Sequence, residues 1–140
     1  MQNRSLAKAG VAVVVVATTA GCAQAETIPR KAARVTIDGN AHSTRPPACS
    51  QDQSYRTIDI REHDGRVEAV VLLSGDRVIP QWVKIRSIGG FTGSAWQGGV
   101  GDAHVDLAKN TYTITGSAEG INSNNPNKVV AEAFKIIAEC

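Results

Sequence analysis

From Arg34 onward the chain breaks into short runs of β-branched and large apolar residues, each stopped by a turn signal. Val35-Thr36-Ile37 ends at Asp38-Gly39, and Tyr55–Arg61 alternates large and polar residues as a half-buried strand should. Asp64-Gly65 then turns the chain into Val67–Leu73, giving the clearest hairpin signal. Ser74-Gly75-Asp76 precedes Val78–Ile88, read as an interrupted strand because Pro80 implies an edge or a bulge. Gly89-Gly90, Gly93 and Gly98-Gly99 punctuate the stretch that follows, and Tyr112–Gly120 alternates again. His42–Ser54, with Pro46 and Pro47, and the asparagine-rich Asn122–Asn127 are expected to be loops. Val129–Glu139 carries apolar residues that suit either a helical face or a strand, and its context favours a strand over Ala133–Glu139. Short strands with turns every eight to twelve residues or so predict a mainly β domain, a small antiparallel sandwich or barrel.

The first residues obey a different pattern. Arg4 and Lys8 form a basic head, and Ala9–Gly21 is uncharged and mostly apolar. The apolar run is too short to span a bilayer, which takes roughly 20 residues, and reads as a secretory signal peptide over 1–21. Ala20-Gly21-Cys22 resembles a lipobox, in which the cysteine receives a diacylglyceryl group and, after cleavage, an acylated amine. Thr19 stands where an aliphatic residue is usual. Ala23-Gln24-Ala25 offers a competing A-x-A site, and cleavage there would release a secreted protein. The expected organisation is a signal peptide (1–21), a lipidated tether (22–33) and a β-rich domain (34–140). The anchored domain would sit at the cell membrane, facing its extracytoplasmic side.

Of three cysteines, Cys22 is consumed by lipidation or removed by cleavage after Ala25. Either route leaves Cys49 and Cys140 as a disulfide pair in an oxidising compartment. The chain holds 15 basic and 13 acidic residues, and loss of Arg4 and Lys8 balances the remainder. No basic patch argues for nucleic acid.

Nothing in the sequence assembles catalytic or metal chemistry. His42, His63 and His104 show no His-Glu-x-x-His spacing, and no G-x-S-x-G nucleophile elbow occurs. Gly98-Gly99-Val100-Gly101 lacks the Lys-Ser/Thr that a phosphate loop requires. No cofactor, metal or catalytic residue is expected. Trp82, Phe91 and Trp96 are the large aromatics of the middle of the domain, and define a possible apolar groove for a lipid or glycolipid.

The lipobox, Val35-Thr36-Ile37-Asp38-Gly39, a cysteine soon after, Tyr112–Gly120, Asn125-Pro126 and the Phe134…Cys140 finish occur together in order. In this combination the chain resembles the mycobacterial LpqH-type lipoprotein antigens. The resemblance implies a non-enzymatic cell-envelope lipoprotein with a small β domain. It also implies lipid on Cys22, a Cys49/Cys140 pair, and host innate receptors that read the acylated N-terminus. That family's tether is long, Thr/Ser-rich and sugar-bearing, whereas Ala23–Ala33 offers only Thr27. Two functions follow: a membrane-anchored surface antigen or binding module, or an envelope lipid carrier with an apolar pocket.

Overall fold

The structure is a computed structural model that describes residues 31–140. The expected signal peptide (1–21), Cys22 and most of the expected tether (22–33) lie outside the described residues. Ten strands form one antiparallel sheet: β1 (Arg34–Ile37), β2 (Asn40–Ser43), β3 (Ala48–Asp52), β4 (Tyr55–Glu62), β5 (Gly65–Ser74), β6 (Arg77–Ile88), β7 (Phe91–Trp96), β8 (Asp102–Ala108), β9 (Thr111–Asn122) and β10 (Asn125–Glu139). Their order is β2-β1-β10-β9-β7-β6-β5-β4-β3, with β8 also pairing β9. The sheet is open, so the domain is sandwich-like rather than a closed barrel.

Alternation decides the faces. Ile58 and Ile60, Val67, Ala69 and Val71, Val83 and Ile85, and Ile114 and Ile136 all turn inward, each 2% exposed or less. They join one buried cluster that also takes Val35 and Ile37 from β1 and begins at Ala33. The sheet curls far enough for its two ends to meet. Between β2 and β3, Arg45 N–H donates to Arg61 O of β4 (3.0 Å), and the Thr44 hydroxyl donates to Ala33 O (3.0 Å). Thr44 is the buried polar residue of the described core, and this bond satisfies it.

The hairpin predicted over Tyr55–Leu73 forms, but its two turn residues are His63-Asp64, and Gly65 already pairs with Glu62. Gly65 is needed in the strand because a Cβ there would press on Ser87 O and Ile88. Pro80 sits at a bulge between Val70/Val71 and Trp82/Pro80, which lets an interior strand accommodate a residue with no N–H. Two expected loops are corrected. Asn40–Ser43 and Ala48–Asp52 are strands, the latter paired with β4 from Ala48↔Asp59 to Asp52↔Tyr55. Asn122–Asn127 contracts to a two-residue turn, Ser123-Asn124, and Pro126 and Asn127 fall in a bulge of β10 between Asn125 and Val129. The strand expected over Ala133–Glu139 is the end of a 15-residue strand.

Candidate functional site

Four two-residue turns gather at one end of the curled sheet: Asp38-Gly39, His63-Asp64, Gly89-Gly90 and Ser123-Asn124. Their backbones interlock. Ser123 N–H donates to Gly90 O (2.8 Å), and Gly89 leaves just enough room for the His42 ring, which a Cβ would meet at 2.9 Å. The opposite end holds Cys140, whose N–H donates to Asn110 O (2.8 Å), and Lys31, whose Nζ lies 3.2 Å from Glu139 Oε2. The described chain therefore enters beside the disulfide and runs along β1 toward the four turns.

A cavity of about 400 Å³ opens among these turns. Asp38 and Asn40 reach it from the β1–β2 hairpin, Asn122 and Asn124 from β9 and its turn, Glu132 from β10 and His42 from β2, over Ile37 and Phe91. Asp38 and Gly39 both have positive φ (46° and 77°), which makes the hairpin tight and brings Asp38 to the lining of the cavity. Asn122 Nδ2 donates to Glu132 Oε1 (3.0 Å), and Asn40 Nδ2 donates to Asp38 O (3.3 Å). The Asp38 carboxylate, the Asn124 amide, the Asn122 carbonyl oxygen and Glu132 Oε2 have no partner among the described residues. A second cavity, of about 500 Å³, shares His42 and Gly89 with the first and continues past Glu62, His63 and Ser87. His42 Nδ1 stands 3.5 Å from Glu62 Oε1, with each side chain 20% exposed.

The three aromatics of the expected groove do not converge. Phe91 points inward, 1% exposed, and floors the 400 Å³ cavity. Trp82 and Trp96 are cross-strand partners on the outer face, where Lys84 Nζ lies 4.5 Å from the Trp82 ring centre and Trp96 is 53% exposed. The parity of β6 and β7 separates them, because Val83, Ile85, Phe91 and Ala95 take the inward positions. Cys49 and Cys140 are bridged, with Cα atoms 5.9 Å apart. His63 is a turn residue and His104 an exposed one, 3.6 Å from Asp106. Among the described residues no group of three or more His, Cys, Asp or Glu side chains is placed to hold a metal ion. The asparagines at the cavity read in sequence as turn formers alone. The signal that they line one site is that Asn or Asp recurs in separate turns which only the sheet order brings together.

The outer face of β4, β5 and β6 carries Arg61, Arg66 and Arg86 abreast. Arg66 grips Asp59 with two hydrogen bonds (2.8 and 2.9 Å) and reaches Glu68 (2.7 Å). The hydrogen bond and charge of Asp59 hold the Arg66 guanidinium above its already high ordinary pKa.

A family model described as Mycobacterium 19 kDa lipoprotein antigen matches residues 26–140. A Mycobacterium tuberculosis protein named "Probable lipoprotein LppE" is 64% identical over 140 residues, covering all of both chains. Two proteins each named "Putative lipoprotein", from Mycobacterium avium subsp. hominissuis and Mycobacterium indicus pranii, are each 31% identical over the whole of this chain and cover 97% and 100% of their own.

Proposed function

Because the chain belongs to the Mycobacterium 19 kDa lipoprotein antigen family, we propose that it is a membrane-anchored, non-enzymatic binding module of the cell envelope, held by acyl chains on Cys22. The observation that carries this reading is the match of residues 26–140 to a lipoprotein-antigen family, and the lipobox-like Ala20-Gly21-Cys22 upstream of that match supplies the candidate anchor. One acyl chain binds a membrane only reversibly, whereas two or more anchor it firmly. Between Cys22 and Lys31 the backbone spans at most about 30 Å at roughly 3.3–3.6 Å per residue. Lys31 lies at the disulfide end, so the tether joins the domain at the end opposite the four turns, an attachment that suits turns pointing away from the membrane into the extracytoplasmic space. Host receptors that recognise acylated N-termini would engage the lipid and leave the β domain free. The lipid-carrier reading draws no support from the packing. The inner face is a continuous buried cluster, and charged or amide side chains (Asp38, Asn122, Glu132, Glu62) stand around the cavities at the turns.

Intact-mass analysis of the membrane fraction tests the anchor. The expected species begins at Cys22 and carries the added mass of a diacylglyceryl group and an amide-linked acyl chain. An unmodified chain beginning at Glu26 and found in the medium overturns the reading.

A further inference from the structure

We propose that the cavity between the β1–β2 and β9–β10 turns binds a neutral, polyhydroxylated ligand: a segment of a glycan chain. The volume, about 400 Å³, falls within the usual range for a small-molecule site. The lining has a surplus of acceptors. The Asp38 carboxylate, Glu132 Oε2 and the Asn122 carbonyl oxygen are left without partners, and the Asn124 amide adds two donors. Sugar hydroxyls both donate and accept, and their bonds to a carboxylate are the strong, charge-assisted kind. Other ligand classes fit less well. Two carboxylates repel an anion, and the described residues offer no three-ligand group for a metal ion. An acyl chain would strip water from these polar groups without replacing their hydrogen bonds. The apolar floor offers it little in return, since Phe91 and Ile37 are 1% and 5% exposed. The adjoining cavity beyond His42 gives a bound chain a path to continue along the same end of the sheet. That the site faces away from the membrane rests on the anchored reading above; its binding chemistry does not.

The test is a nitrogen-15 NMR titration of the full chain, purified from membranes in detergent micelles, with mannotetraose, maltotetraose and galactotetraose. Spermidine and phosphatidylglycerol vesicles are titrated in parallel as a cationic and an anionic-lipid probe. The expected result is a saturable shift of the Asn40, Asn122 and Asn124 side-chain amides with at least one tetrasaccharide. Asp38→Ala and Glu132→Ala each weaken that binding about tenfold or more, as loss of a hydrogen bond to a charged group does. Lys109→Ala, at the far end of the sheet, leaves it unchanged. Both cavity positions are at least partly exposed, and an unchanged backbone spectrum verifies that the variants fold. No saturable shift with any of the three sugars overturns the proposal. So do shifts elsewhere on the domain, or shifts of these amides by spermidine or vesicles alone. The titration reads the cavity whether or not Cys22 is acylated, so its failure is separable from failure of the anchor.

Discussion

Gly116 and Gly120 lie on the inward side of β9, where β7 and β8 share one edge of it. A Cβ on Gly120 would run into Thr92 O and Gly93, and one on Gly116 into Asp102 O and Ala103. Neither position requires a positive φ, so the constraint is close approach of backbone. Gly120→Ala is expected to lower stability by about 1–3 kcal/mol through overpacking. Gly99→Ala is the matched control, because its Cβ would find ordinary contact at 3.5 Å with Trp96. Urea unfolding of the two variants checks the difference, and equal midpoints would contradict the steric account. At the same scale Phe91 fills the inner face beneath the turns, and Phe91→Ala is expected to cost about 3–5 kcal/mol. A loss below about 1 kcal/mol in the same measurement would mean that the site collapses around the vacancy.

Among elements, β4, β5 and β6 pose an electrostatic problem that the packing solves locally. Like charges directly across a sheet are destabilising, and Arg61, Arg66 and Arg86 stand in one row. The next row places Asp59, Glu68 and Lys84 abreast, and Asp59 holds both Arg66 (2.8 Å) and, at 3.9 Å, Arg61. Asp59→Asn removes one of the two carboxylates that compensate the arginines and leaves Glu68 alone beside Arg66. Its melting temperature is expected to fall below the parent's at low salt. The gap should narrow toward 1 M salt, where the Debye length shrinks from about 10 Å at 0.1 M to about 3 Å. A salt-independent gap would assign the effect to lost hydrogen bonds alone. Alternation made these strands legible from sequence, because a half-buried strand must repeat every two residues. It also reveals the inward set that includes Ile58, Ile60, Val67 and Val71. What stayed hidden follows from the same physics. Asn40–Ser43 and Ala48–Asp52 bury almost nothing, so no apolar pattern marks them, and they are held by backbone pairing to β1 and β4. Asn122–Asn127 reads as a loop because it holds four asparagines and Pro126, which cannot donate, and only the bulge against β9 between Asn125 and Val129 keeps its second half in the strand. The cavity was illegible for a related reason. Asp38 and Asn124 are about 86 residues apart in sequence and become neighbours only through the β1–β10–β9 order.

The whole molecule closes on its last strand. β10 pairs with the first strand on one side and with β9 on the other, so the sheet is complete only when the C-terminus is in place. The β3 end of the sheet is a weak edge, because β3 is a five-residue strand paired only to β4. The Cys49–Cys140 bridge joins these two vulnerable places across 91 residues of sequence. In the chain-entropy model a loop of that length is stabilised by roughly 4–5 kcal/mol, most of it by restricting the unfolded chain. For a domain near 100 residues each kcal/mol moves the midpoint by about 4–8 °C, so the Cys49→Ser/Cys140→Ser double variant should melt about 15 °C or more below the parent. The folded sheet keeps its pairing without the bridge, so the loss should not be uniform. Hydrogen exchange should quicken first at the β3–β4 pairing, from Ala48↔Asp59 to Asp52↔Tyr55, while the amides of Ile114 and Ile136 in the β9–β10 pair hold their protection until global unfolding. An unbridged edge strand is also a template for pairing with another chain, so the variant should aggregate more readily as its midpoint is approached. If the double variant melts with the parent, the bridge adds no net stability. If exchange quickens equally everywhere, the bridge acts on the unfolded chain alone and not on the edge.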